Sequence, residues 1–150
     1  MDRNDLLRLD NQLCFAIYAC SRRLTKLYRP LLQHLGVTYP QYLVLLVLWE
    51  NSQQSVTELG ERLFLDSGTL TPLLKRMENN GLVERIRSRE DERKVLIKVT
   101  AKGVSLKEHA YEVPEKLFCQ SGLTIEKFFR MKGDLGQLLE RLRNQEEGDG

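Results

Sequence analysis

The chain has 150 residues, 41% hydrophobic and 29% charged, with a formal net charge of +2. That is room for one domain, or one small module sharing a core with association helices, and it excludes two independent cores. Near-neutral charge does not by itself announce nucleic acid, and the longest apolar run, Leu43 to Trp49, is far too short to span a bilayer.

Met1-Asp2-Arg3-Asn4-Asp5 lacks the apolar stretch of a secretory signal, so a cytoplasmic address without membrane contact is expected. Cys14, Cys20 and Cys119 form neither a CxxC pair nor a disulfide framework. His34 and His109 stand far apart, so neither a metal site nor a cofactor is expected.

From Leu6, apolar residues recur at steps of three and four through Leu9, Leu13, Ala16, Ile17, Cys20, Leu24, Leu27 and Leu31. This spacing predicts one long amphipathic helix that kinks or ends near Pro30, with Cys20 on its apolar seam. Thr38 and Pro40 suit the start of a second helix reaching about Asn51, apolar nearly all round and hence central core. Ser55-Val56-Thr57-Glu58 is a capping-box pattern and predicts a short helix to about Leu63.

Leu70, Leu73, Leu74 and Met77 then repeat with helical spacing. Pro72 is cheap only in a first turn, so this helix is expected to start near Thr69, and Gly81 suits its left-handed end. Val83 to Arg87 and Lys94 to Val99 read as two strands around the polar tip Ser88 to Arg93. Thr100 caps a further helix that Pro114 bends or stops, and Thr124 caps a last one through Leu142. Asn144 to Gly150 is expected to fray.

Short helix, turn, second helix and basic hairpin follow the order of a winged helix-turn-helix, over residues 55–99. The fold expected is mainly α with a small β-hairpin. The second helix turns its leucines inward and offers Thr69, Thr71, Lys75 and Arg76 outward, all able to donate to phosphates or base edges in a major groove. With Ser67 and Pro72 they make up the candidate DNA-binding set of that helix. The hairpin adds Arg85, Arg87, Asp91, Arg93 and Lys94, where a guanidinium at the tip suits a narrow minor groove. The competing reading of these arginines is a solvated surface of mixed ion pairs.

Val56-Thr57-Glu58-Leu59-Gly60, the run from Asp66 to Glu78, Gly81-Leu82-Val83, Asp91-Glu92-Arg93 and Val99-Thr100-Ala101-Lys102-Gly103 resemble the MarR family over essentially the whole chain. The resemblance implies a homodimer joined through helices in residues 6–34 and 101–145, with two heads on a pseudo-palindromic double-stranded operator. It also implies that Asp91 orients Arg93 near DNA.

Leu9 to Ala19 resembles the organic-hydroperoxide-sensing, OhrR-type branch of that family. The resemblance implies a transcriptional repressor in which an organic hydroperoxide oxidises Cys14 to a sulfenic acid, within a pocket associated with Tyr18, Tyr28 and Tyr39. In its two-cysteine members a second cysteine resolves that acid as a disulfide, a role that matches Cys119 and implies pairing between subunits. Helical geometry sets Tyr18 one turn from Cys14 but Tyr28 roughly 21 Å away along the axis, at about 1.5 Å per residue. A partner helix or a sharp turn is needed to bring Tyr28 to Cys14. Two other readings stand beside this one: a repressor released by a small aromatic ligand with inert cysteines, and a thiol peroxidase, for which no nucleophile with a neighbouring base is evident.

Overall fold

Gln12 sets where the first long helix begins. Its backbone is extended, with φ −92° and ψ 109°, and its side-chain amide donates to the Leu6 and Arg8 carbonyls at 2.7 and 3.0 Å. The Asn11 amide donates to the Asp5 carbonyl at 2.8 Å. The computed structural model, which describes Asp2 to Gly148, therefore has two short 3-10 turns, Asp5–Leu7 and Leu9–Asn11, where leucine spacing alone predicts helix. Helix α1 spans Leu13–Gln33 and runs through Pro30.

At its end the Gly36 amide donates to Gln33 and the Val37 amide to Leu32, with Gly36 at φ +68°, the arrangement that turns a chain sharply off a helix. Thr38 and Gln41 form a reciprocal capping box that opens α2, Tyr39–Glu50, with Pro40 in its first turn as predicted. Tyr42, Val44, Leu45, Val47 and Leu48 of α2 are buried at the centre of the core.

Strand β1, Gln53–Ser55, was not expected; three polar residues carry no alternation, and the strand exists because it pairs with a later one. Ser55 then caps α3, Val56–Leu63, exchanging bonds of 2.8 and 3.1 Å with Glu58. Helix α4 spans Ser67–Asn79 and starts earlier than Thr69 because Asp66 Oδ1 accepts the Thr69 amide at 2.8 Å. Pro72 thus lies in the second turn, where the helix forgoes one bond to the Gly68 carbonyl. Leu70, Leu74 and Met77 are fully buried, each contributing about 1.5–3 kcal/mol of transfer free energy. Gly81, at φ +72°, closes the helix as the sequence predicts.

Strands β2, Val83–Arg87, and β3, Val95–Val99, form the expected hairpin, and the sheet order is β1-β3-β2, antiparallel throughout. Thr100 caps α5, Ala101–Ser105, as expected, and α6, Lys107–Ala110, follows. The next helix, α7, spans Glu112–Ser121 with Pro114 inside its first turn, so the break falls just before the proline.

The chain forms one compact unit through Val113 and a second from Pro114 onward. In the second, Thr124 Oγ1 accepts the Lys127 amide at 3.3 Å at the start of α8, Ile125–Gly148. Phe128 stands edge-on to Phe118 and to Phe129, each at 5.5 Å. The frayed tail expected from Asn144 is instead helix up to Gly148, with Arg143 paired to Glu147 at 3.2 Å; Asp149 and Gly150 lie outside the described residues. Among the described residues no helix is long and apolar enough to cross a membrane.

Candidate DNA interface and sensor cysteine

Because α4 buries Leu70, Leu73, Leu74 and Met77, its opposite face is free, and Ser67, Thr69, Thr71, Pro72, Lys75 and Arg76 are all exposed. Hydrogen bonds from Thr69, side chain first and then backbone, hold the Asp66 carboxyl below its ordinary range at the start of this helix. The hairpin register sets Arg85 opposite Ile97 and Arg87 opposite Val95, on the face of the sheet that carries Val83 and Val99. Val83, Ile97 and Val99 of that face are buried and Val95 is partly buried, while both arginines are exposed. A groove of about 430 Å³ joins Thr71 of α4 to Arg85, Arg93 and Lys94, with Glu58 and Glu61 of α3 also in its lining.

At the wing tip the Ser88 amide donates to the Lys94 carbonyl and the Lys94 amide to the Asp91 carbonyl, both at 2.9 Å. Asp91 Oδ1 accepts the backbone amide of Arg93 at 3.0 Å. Asp91 therefore shapes the turn that carries Arg93 rather than gripping the guanidinium. Among the described residues no ion pair engages Arg85, Arg87, Arg89, Arg93 or Lys94, which weakens the mixed ion-pair reading of this surface.

Cys14 is exposed and occupies the second position of α1. Starting the helix at Leu13 rather than Leu6 moves this thiol from mid-helix to the end that attracts negative charge. Tyr18, one turn on, is exposed, with the Arg22 guanidinium 5.4 Å from its ring centroid. Cys20 is exposed too, contrary to the buried seam position expected, because Leu13 and Leu24 on that helix also face solvent and only its C-terminal end enters the core. Cys119 is exposed on α7, within the second unit.

The turn at Gly36 folds α2 back on the end of α1. Tyr28 and Tyr39 meet with ring centroids 4.7 Å apart, and Tyr42, which the sequence reading did not single out, stands 6.1 and 6.5 Å from them. Its only signal was the step of three from Tyr39 on one helix. Burial, reinforced by Tyr39 and Tyr42, pushes the Tyr28 phenol up to about 12, and burial raises Tyr39 and Tyr42 as well. All three are neutral hydrogen-bond donors in ordinary buffers. Tyr18 is not among them, and Cys14, on the same helix as Tyr28, is about 21 Å away by helical rise. Among the described residues no histidine, cysteine and carboxylate group together as metal ligands.

Residues 26–110 match the family model described as transcriptional regulator SarA/Rot. The organic hydroperoxide resistance transcriptional regulator of Bacillus subtilis (strain 168) is 52% identical over 141 residues, covering 94% of this chain and 96% of that protein. Reduced AbfR bound to DNA superposes with a TM-score of 0.77 at 38% identity, over 94% of this chain and 99% of that one; AbfR is from Staphylococcus epidermidis. Overoxidised AbfR bound to DNA gives 0.76, at 39% identity over 94% and 99%, whereas disulfide-formed AbfR gives 0.64, at 39% identity over 91% and 96%. MarR of E. coli, as a cysteine-to-serine mutant complexed with operator DNA, gives 0.78 at 26% identity over 93% and 99%. These relatives are regulators, and the thiol-peroxidase reading finds no support among them.

Proposed function

We propose, on the premise that this chain belongs to the MarR family of winged-helix, DNA-binding transcriptional regulators and to its organic-hydroperoxide-sensing OhrR-type branch, that it is a homodimeric repressor released from operator DNA by oxidation of Cys14. The observation that carries the reading is the split of its sensing groups. Cys14 and Tyr18 lie at one end of α1 and the Tyr28–Tyr39 pair at the other, so a pocket that uses both needs a second copy of the chain. Exposed apolar residues supply surfaces for that copy: Leu13, Phe15 and Leu24 on α1, and Phe129, Leu135 and Leu139 on α8.

The chemistry runs in two steps. The Cys14 sulfur attacks the terminal peroxide oxygen, the O–O bond breaks, and the products are a sulfenic acid on Cys14 and the alcohol of the hydroperoxide. The Cys119 thiol of the second copy then attacks the sulfenic sulfur, forming the disulfide and releasing water. Phenol donors at Tyr28 and Tyr39 suit the negative charge that the thiolate brings and that passes to the leaving oxygen as the O–O bond breaks. A disulfide requires alpha carbons within about 7 Å, so the helices carrying the two cysteines move if they begin farther apart, and the spacing of the two heads moves with them. The AbfR series accords with this order, since AbfR is found on DNA both reduced and overoxidised and its disulfide form differs most from the present fold.

The test is a gel shift on a labelled duplex selected from a random-sequence pool, comparing an organic hydroperoxide with hydrogen peroxide, followed by non-reducing electrophoresis. Release by the organic peroxide with a crosslinked dimer is expected. Retained binding by the disulfide-crosslinked dimer would sink the switch, and a Cys119→Ser protein that still crosslinks would sink the resolving role. One feature favours the ligand-released reading: a groove of about 210 Å³ on α1, lined by Phe15, Tyr18, Ala19, Arg22, Arg23 and Lys26. Release of a Cys14→Ser protein by an aromatic carboxylate would establish that reading instead.

A further inference from the structure

We infer that Trp49 is the positioning residue through which a change at the tyrosine cluster reaches the wing. The inference rests on the sensor reading above. Trp49, the one tryptophan of the chain, lies in the last turn of α2. On one side it meets Tyr42 edge-on, with ring centroids 6.4 Å apart and planes at 72°. Tyr42 continues the row to Tyr28 and Tyr39 at 6.1 and 6.5 Å. On the other side the indole N–H donates to the Gly103 carbonyl at 3.0 Å, joining residues 54 apart in sequence.

Gly103 has no slack. A Cβ at that position would lie 2.5 Å from the Leu82 carbonyl oxygen and 2.7 Å from Val99 Cγ2. Leu82 leads into β2, and Val99 ends β3. The same Leu82 carbonyl accepts the Thr100 amide at 3.1 Å, while the Thr100 hydroxyl donates to the Gly81 carbonyl at 2.6 Å. The roots of both wing strands are thus knotted around one peptide, and Trp49 holds that peptide from the tyrosine side. Close-packed groups shift together between discrete arrangements instead of deforming gradually. A displaced Tyr28 or Tyr39 therefore moves Tyr42 and the indole, and the Gly103 bond carries the shift to the wing arginines. Every link lies in the compact unit that ends at Val113.

Trp49→Phe keeps an aromatic ring and removes the one donor. The test measures affinity for the selected duplex by fluorescence anisotropy, for wild type and Trp49→Phe, each reduced and after an organic hydroperoxide, with free thiols counted. Wild type is expected to lose affinity by about 5- to 150-fold on oxidation, the ordinary range of allosteric coupling. Trp49→Phe should oxidise equally and bind within about threefold of wild type when reduced, but lose no more than about twofold on oxidation. A merely structural role would weaken both states alike and leave the ratio unchanged, and a preserved ratio overturns the inference alone.

Wild-type emission provides a second reading that needs no variant. The indole spectrum should shift on oxidation, and release of DNA with an unchanged spectrum also overturns the inference. Should Trp49→Phe melt early, this reading decides. Undiminished DNA binding by disulfide-crosslinked wild type would take the sensor reading down together with this one.

Discussion

Asp91 holds Arg93 by its backbone: the carboxylate accepts the Arg93 amide at 3.0 Å, and no ion pair joins the two side chains among the described residues. The guanidinium is left for phosphates or a minor groove while the turn beneath it is fixed. The two residues should then fail in different ways. Arg93→Ala removes a charge, so the slope of log affinity against log salt should fall by about 1. Asp91→Ala loosens the turn but keeps the charge, so affinity should drop with that slope intact. Equal slopes in the two variants would mean that Arg93 touches no phosphate.

Asp66 gives the reading head an acid-sensitive joint. Its carboxyl is held below the ordinary value of 3.8 by hydrogen bonds from Thr69, so the stability it contributes is full above that value and is lost as pH falls through the lower folded one. Asp66→Asn keeps an acceptor for the Thr69 amide but cannot titrate. Denaturation midpoints taken downward from pH 5 should fall less steeply in Asp66→Asn than in wild type. Parallel curves would assign the acid sensitivity to other carboxylates.

How far the fold could be read in advance follows the range of the forces involved. Caps at Thr38, Ser55, Thr100 and Thr124, and the left-handed Gly81, were legible because each depends on atoms three or four residues away. The exposed face of α4 and the wing arginines were legible for a related reason: helical period and strand alternation fix which residues turn outward. Strand β1 was not legible, since its existence depends on β3 more than forty residues later. Nor was the break at Gln12, where a residue well suited to a helix uses its amide to hold two upstream carbonyls instead. The convergence of Tyr28, Tyr39 and Tyr42 depends on how α2 returns after Gly36, which tyrosine spacing does not encode.

Gly103 is the point where the wing tolerates no side chain. Its added Cβ would meet a backbone oxygen at 2.5 Å, which cannot swing aside as a flexible side chain would. Gly103→Ala should therefore cost about 1–3 kcal/mol of overpacking strain, read as a lower denaturation midpoint. The damage should centre on the wing: hydrogen exchange at the Leu82, Val83 and Thr100 amides is expected to accelerate more than exchange in α1. Wild-type stability in Gly103→Ala would show that the hairpin root can open at little cost.

Tyr28 should make the fold sensitive to alkali. Its phenol is raised from 10.0 to about 12, chiefly by burial, so the folded chain keeps a proton that the unfolded chain releases first. A group with a raised folded value contributes fully below its unfolded pKa and loses that contribution as pH climbs through the folded one. The window is therefore from about pH 10 to about 12. Denaturation midpoints of wild type should fall across it more steeply than those of Tyr28→Phe, and the tyrosinate absorbance step in that range should shrink in the variant. Near neutrality the same phenol stays protonated and keeps its donor function, so Tyr28→Phe should also slow oxidation of Cys14 by an organic hydroperoxide if the two meet across a dimer. An unchanged rate in a variant that has lost the alkaline step would separate the buried phenol from the sensing chemistry.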